Sequence, residues 1–303
     1  MIDYVKHLPK NVKLMAKDKI IHKFCFTDII KIISEKLDFE QRTIVKYFRK
    51  SEFPIYFLEC LENNTSFKIK DLLTEKSLKF RSKWKKVKLP NQMSSNLAYF
   101  IGYLQGDGCL ESNKKRIDFV DEYLDQMVLI NHICFNLFNL TGVIRGINSK
   151  ISKKECYSLI IGSVILSSYI NSVFNINYGI KKDLRIPKTI IKSDFLLDYI
   201  AGLYDADGTL PKTPSKCKQF FIDITLKDLG IILELKRFLK KYGIETLKPY
   251  CRVAKSPTSD FISKTWELRI RKKKDLVNFL NRVKFKHPDK ARRQKELIKL
   301  LRP

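Results

Sequence analysis

No stretch of this chain stays apolar for the roughly 20 residues that a membrane-spanning helix needs. Its first residues, MIDYVKHLPKNVK, hold no signal-peptide core. Neither membrane insertion nor secretion is therefore expected. Histidine is scarce: there are four, none at a metal-ligand spacing from another. The seven cysteines are scattered without one C-x-x-C pair, which speaks against a structural zinc site and against a disulfide framework. Several lie in apolar stretches, as Cys134 does in HICFNLF, and an odd number of such thiols fits burial in a reducing, cytoplasmic compartment. Acidic residues are the remaining shortage, 32 against 59 Lys and Arg, for a net charge of +27. That excess favours a polyanionic partner, because each phosphate contact releases condensed counterions. Anionic lipid is the weaker choice and duplex DNA the stronger. With 44% hydrophobic and 30% charged residues, the 303-residue chain reads as globular, with room for about two domains.

What is present is a phrase written twice. LAYFIGYLQGDGCL spans 97–110 and LDYIAGLYDADGTL spans 197–210, with Leu, Tyr, Gly, Asp, Gly and Leu at matched places. The same order of patterns follows each copy. After the first come the basic turn Asn113 to Arg116, a β-like run Ile117–Val120, and a long apolar-periodic helix that stops at Thr141-Gly142. Strand-like VIRGI and CYSLIIG and a helix near SVILSSYINSVF complete it. After the second come Lys212–Gln219, the strand FFIDITL, the helix LGIILELKRFLKKYG, strands in ETLKPYCRVA and TWELRIR, and the helix KDLVNFLNRV. The scheme is α-β-β-α-β-β-α, twice, so the expected fold class is α+β: a helical part over 1–88, one repeat over 89–190 and another over 191–303.

In the first part, SEKLDFEQRTIVKYFRK reads as a helix, a turn near Asp38-Phe39, and a second helix rich in Arg42, Lys46, Arg49 and Lys50. This pattern fits a helix-turn-helix whose second helix enters the major groove. It fits equally a small helical domain with a solvated basic face. Beyond it, no acidic residue stands between Lys76 and Gly106, and KFRSKWKKVKLP crowds Lys79, Arg81, Lys83, Lys85, Lys86 and Lys88 around Phe80 and Trp84. A basic linker running along phosphates is expected here, with a solvated tether as the plainer alternative.

Each acidic phrase forms a short apolar helix. Ala98, Gly102 and Gly106 recur on one surface of the first, Ala201, Gly202 and Ala206 on the second. A Gly inside a helix costs about 1 kcal/mol against Ala, and close packing of the two helices on each other is a good reason to accept that cost. Asp107 and Asp207 then fall at the helix C-termini, before Gly108 and Gly208, where the helix dipole disfavours a carboxylate. Bringing both together adds like-charge repulsion. Hard divalent cations with oxygen ligands relieve it, and the carbonyls of Gly106 and Ala206 at the helix ends are further candidate ligands. A site so built can activate water against a phosphodiester. For one phrase alone, an Asp-Gly turn ending a helix is the plainer reading; two copies in matched repeats make it improbable.

FIGYLQGDG (100–108) and IAGLYDADG (200–208) resemble the nine-residue motif of the LAGLIDADG homing endonuclease family, in its single-chain, two-motif form. The resemblance covers about residues 90 to 303. It implies two pseudo-symmetric αββαββα halves joined through their motif helices, with antiparallel sheets forming a saddle over double-stranded DNA. It also implies Mg²⁺ (with Mn²⁺ able to substitute) beneath the scissile phosphates, held by Asp107 and Asp207. Gln105 departs from the pattern where the second motif has Asp205, a position that caps or packs. By local order, Lys115 and Lys212 just after each motif, and Lys264 or Arg269 near the late strand of the second half, are the expected catalytic cations, each equally placed to be a phosphate contact. The expected DNA contacts are Lys83, Lys85, Lys86, Lys114, Arg116, Lys216, Lys218, Arg252, Lys264 and Arg269. The implied activity is a double-strand break with short 3′ overhangs at a long target, by a monomer encoded within an intron. An RNA maturase assisting splicing is the alternative, and a transcription regulator on the same fold a third. Free-standing archaeal members are similar in running from a helix-turn-helix through a basic segment into KLP, as at Lys88-Leu89-Pro90, so a prokaryotic, archaeal cytoplasm is expected rather than an organellar matrix. With Met1 first and Leu300-Leu301-Arg302-Pro303 last, an intein is not expected.

Overall fold

The computed structural model describes residues 5, 8–9, 12–15, 26–69, 77–81, 86–148, 155–217, 219–255 and 262–301. The N-terminal part contains β1 (Lys13–Met15), α1 (Phe26–Leu37), α2 (Gln41–Lys50), β2 (Glu52–Pro54), α3 (Ile55–Asn64), β3 (Ser77–Arg81) and β4 (Lys86–Pro90). The helices α1 and α2 meet across Asp38-Phe39-Glu40, where Asp38 adopts a left-handed φ of 51°. Ile44 and Phe48 bury one face of α2 and leave Arg42, Lys46, Arg49 and Lys50 exposed. Beside the expected helices lies a four-stranded sheet, ordered β2-β1-β3-β4. The basic stretch is thus no linker or tether. It folds as an antiparallel pair because its apolar residues alternate with its cations: Leu78, Phe80, Val87 and Leu89 are buried on one face. Lys83 and Lys85 lie outside the described residues.

The first repeat runs α4 (Ser95–Gly106), β5 (Gly108–Leu110), β6 (Arg116–Asp121), α5 (Leu124–Phe138), β7 (Val143–Asn148), β8 (Glu155–Gly162) and α6 (Val164–Phe174). Ser94 caps α4, its hydroxyl accepting from the Leu97 N–H at 3.3 Å. The helix α5 ends earlier than its apolar pattern suggests. Asn139, at φ 56°, takes the left-handed cap, and its side chain reaches the Lys86 carbonyl at 3.2 Å. Gly142 serves packing instead, since a methyl there would collide with Leu159 and Ile161.

A short helix α7 (Lys188–Ile191) leads into the second repeat: α8 (Leu196–Asp207), β9 (Gly208–Thr209), β10 (Ile222–Leu226), α9 (Leu229–Lys241), β11 (Tyr250–Lys255), β12 (Ile262–Ile270) and α10 (Lys273–Arg282). An unforeseen last helix, α11 (Pro288–Leu301), follows. The two repeat sheets have matched order, β5-β6-β8-β7 and β9-β10-β12-β11, with all pairs antiparallel. Expectation and structure agree on the α+β class and on the doubled αββαββα order.

The helices α4 and α8 pack side by side, in a core that takes in Tyr99, Phe100, Tyr103, Tyr199, Leu203 and Tyr204, all fully buried. Their approach is reciprocal. A methyl on Gly102 would fall into the Tyr199 carbonyl, and one on Gly202 into the Tyr99 carbonyl. Further along, a methyl on Gly106 would strike Ala206. Because the obstacle is backbone, it cannot rotate aside. Gly102→Ala and Gly202→Ala should each cost about 1–3 kcal/mol of stability by overpacking. Urea unfolding measures this, and an unmoved midpoint in both variants would contradict the geometry.

Candidate functional site

The close seam carries the two motif helices to a common end. Asp107 closes α4, its N–H still bonded to the Tyr103 carbonyl at 3.0 Å, and Asp207 is the last residue of α8. Both are half-buried, and a methyl built on Gly106 would lie 2.9 Å from the Asp207 carboxylate. The Asp207 carboxylate therefore sits over the end of α4, and Asp107 lines a cavity with Ala206 and Lys290 of the other half. Burial, then the charges of Asp207 and Asp121, push the Asp107 carboxyl up to about 7, against the opposing pull of Lys290 and Lys181. Burial likewise raises Asp207, again with Lys181 and Lys290 opposing.

These two lysines escaped the sequence reading. Lys181, in the connection after α6, donates from Nζ to the carbonyls of Gln105 (3.0 Å) and Gly106 at the end of α4. Lys290, in the first turn of α11, donates to the carbonyls of Tyr204 (2.9 Å), Asp205 (2.6 Å) and Ala206 (3.1 Å) at the end of α8. Each ammonium thus caps one motif helix, where the dipole favours a cation. Burial lowers the pKa of both, and the aspartates hold them up. The signal that could have found them is positional: each follows the last helix of its repeat, seven residues beyond Phe174 and eight beyond Arg282.

Two cavities open at the seam. One, of about 340 Å³, is lined by Asp107, Asp121, Ala206, His287 and Lys290 among others; the second, of about 440 Å³, by Gly106, Lys181, Asp207, Thr225 and Lys227 among others. Beside Asp107, burial works against ionisation of Asp121, yet bonds from His287, Tyr103 and the Tyr123 N–H outweigh it and hold its carboxyl low. Asp205 is buried as a structural anchor. It accepts from Tyr99 Oη (2.7 Å) and from the N–H groups of Lys286 (2.7 Å) and His287 (2.9 Å). At the matching place Gln105 accepts from Tyr199 Oη and donates to the Arg185 carbonyl at 3.1 Å.

Among the described residues, no three His, Cys, Asp or Glu side chains come together as a metal cage. The expected metal ligands divide accordingly. Asp107 and Asp207 present negative charge that repels across the seam, which fits a hard divalent cation completed by water or phosphate oxygens. The Gly106 and Ala206 carbonyls are already engaged by lysine ammonium groups.

Residues 194–284 match the model of the LAGLIDADG-like domain. The second repeat is a LAGLIDADG-like domain. The two acidic phrases resemble the family that this match names, and the first repeat copies the domain's element order and strand pairing. Over 214 residues the chain is 26% identical to the glutamine–fructose-6-phosphate aminotransferase of Methanocaldococcus jannaschii, covering 70% of this chain. It spans only 18% of that relative's length. Structures similar to it include mesophilic variants of the homing endonuclease I-DmoI (16% identity, 67% of this chain and 97% of that one, TM-score 0.45). Two others are the homing endonuclease I-WcaI bound to its DNA recognition sequence (13%, 63% and 82%, TM-score 0.45) and the N-terminal LAGLIDADG domain of DUF199/WhiA (15%, 62% and 82%, TM-score 0.41).

The remaining expected contacts scatter over the two repeats. Lys115 and Lys212 stand in exposed turns and line neither cavity, so the lysines placed beside the carboxylates are Lys181 and Lys290 instead. Lys114 is exposed, its Nζ 5.4 Å from the centre of the Tyr178 ring, and Lys216 is exposed in a turn. Arg116 pairs with Glu111 (2.9 Å) and Asp118 (3.2 Å). Arg269 pairs with Glu267 (2.7 Å) and Asp223 (3.2 Å), and Arg252 also pairs with Glu267. By strand parity, Arg252 and Arg269 share the face of β11 and β12 that points away from the buried Leu268 and Ile270. Lys264 falls on the other face, its Nζ 5.4 Å from the centre of the Trp266 ring. Lys86 lies in β4, and Lys218 is outside the described residues. Cys60, Cys134 and Cys156 are buried as expected of thiols, whereas Cys109 is exposed. Among the described residues no helix is long and apolar enough to cross a membrane.

The raised Asp107 has a pH consequence. Between its ordinary value of 3.8 and about 7, the folded chain holds a proton that the unfolded chain has lost, so stability falls as pH rises through that window. Asp107→Asn should therefore raise the unfolding temperature at pH 8 in metal-free buffer, with a gain that shrinks towards pH 4. A gain equal at both pH values, or none at pH 8, would contradict this electrostatic picture.

Proposed function

We propose that this LAGLIDADG protein is a site-specific DNA endonuclease, cutting both strands of a long target to leave short 3′ overhangs. The observation that carries the reading is the meeting of Asp107 and Asp207 at one seam between two pseudo-symmetric halves, each beside a lysine ammonium. A duplex presents two strands related by a two-fold axis, and one carboxylate per half suits one scissile phosphate per strand. The halves, 89–190 and 191–303, differ in sequence, which suits an asymmetric target read by a monomer. Intron-borne coding and an archaeal cytoplasm belong to the same reading.

Asp107 and Asp207 would hold Mg²⁺ or Mn²⁺, which supplies positive charge against the charge that develops on the phosphate and leaving oxygen. The chain's own part is positional. Lys181 and Lys290 keep their Nζ protons on the helix-end carbonyls and hold positive charge beside the carboxylates. The Gly102 and Gly202 contacts fix the separation of the two Asp. An RNA maturase would need neither carboxylate, and retention of both favours cleavage.

The test is direct. The purified chain with Mg²⁺ is incubated with DNA fragments from its source genome, and the new ends are mapped by sequencing. Paired breaks at one long site are expected. Asp107→Asn and Asp207→Asn should abolish cutting while sparing binding to that site. Wild-type cutting by both variants would remove these residues from the reaction.

A further inference from the structure

The pair β3–β4 places cations directly opposite cations. Lys79 faces Lys88, Arg81 faces Lys86, and on the other side of β3 Arg81 faces Lys13 of β1. Directly opposed residues project to the same face, so these five basic groups share one side of the sheet, while Leu78, Phe80, Val87 and Leu89 fill the other. Lys79, Arg81 and Lys86 are exposed. Arg81 has an acidic neighbour, Glu52 at 2.6 Å, and Lys13 Nζ lies 5.3 Å from the centre of the Tyr47 ring. No Asp or Glu occurs anywhere between Lys76 and Gly106 to balance the rest. Like charges set opposite one another weaken a sheet, so this arrangement is unfavourable in the chain by itself and becomes favourable against a polyanion. The ribbon is also firmly placed. Asn139 of α5 bonds the Lys86 carbonyl at 3.2 Å, and Tyr169 of α6 bonds the Pro90 carbonyl at 2.8 Å, so β4 is fixed to the first repeat immediately before α4 begins.

We propose that the outer face of β3–β4 is a second nucleic-acid surface that grips the phosphate backbone of duplex DNA beyond the segment covered by the repeat sheets, on the side of the first repeat. The proposal rests on the endonuclease reading for the identity of the partner as duplex DNA. The exposed face of α2, with Arg42, Lys46 and Arg49, belongs to the same module and adds charge beside it through the Tyr47 contact to Lys13. Sequence-independent anchoring of this kind adds affinity and register without adding base readout.

The test titrates the full chain with a mixed-sequence 50-bp duplex over a series of salt concentrations. A Lys79→Gln/Lys86→Gln/Lys88→Gln variant is compared with wild type and with Lys115→Gln/Arg145→Gln, which alters exposed cations of the first repeat. Loss of three phosphate contacts should lower the slope of log K against log salt by about 2 to 3, and the triple variant should unfold at the wild-type temperature or higher. An unchanged slope overturns the proposal, as does a clear drop in unfolding temperature, which would mean that these lysines are paired within the chain. Weakened binding to a single-stranded RNA of equal length with an unchanged duplex slope overturns it too. A slope lowered only by Lys115→Gln/Arg145→Gln leaves the repeat-sheet reading standing without the ribbon. A slope lowered only by the triple variant supports the ribbon and counts against the sheets.

Discussion

Backbone-to-backbone packing of α4 on α8 is the constraint from which the site follows. Two helices can come this close only where Gly102 and Gly202 leave room for the opposing carbonyls, and that closeness delivers two helix C-termini, with their partial negative charge and an Asp each, to one place. The resulting conflict is electrostatic. Burial first, and then the charges of Asp207 and Asp121, push the Asp107 carboxyl up to about 7, while two lysines are buried beside it. The chain meets part of the conflict with ammonium groups on the helix-end carbonyls.

The pseudo-symmetry is close in backbone and loose in chemistry. Tyr99 and Tyr199 reach across the seam in the same way, but one finds Asp205 and the other Gln105. Asp121, Tyr123 and His287 crowd the cavity beside Asp107, whereas Thr225 and Lys227 line that beside Asp207. The first cavity is therefore the more acidic. Under the proposed endonuclease reading, two half-sites that differ this way would suit the unlike strands of an asymmetric target.

Much of this was legible in the sequence, for identifiable reasons. The repeated Gly and Asp positions, set one hundred residues apart, carry the seam and both carboxylates, because backbone-to-backbone packing leaves no room for a side chain at Gly102 and Gly202. Hydrophobic periodicity carries the doubled αββαββα order. Lys181 and Lys290 were not legible: each acts on a helix end distant in sequence, through a long side chain that no local pattern announces. The N-terminal sheet was hidden for a different reason. β1 and β2 have three residues each, and in β3 and β4 the dense lysines mask a plain alternation of Leu78, Phe80, Val87 and Leu89. The α5 end shifted because Asn139 can take a left-handed cap, leaving Gly142 to a packing role.

The central claim is that two carboxylates from separate halves feel each other across one seam. Carbon-13 NMR titration of the Asp carboxyl groups, in wild type and in Asp207→Asn, reads that coupling residue by residue. The account predicts that Asp107 titrates near 7 in the wild type and moves down when the opposing charge is removed. An Asp107 that titrates in the ordinary carboxylate range, and does not move in Asp207→Asn, would contradict it.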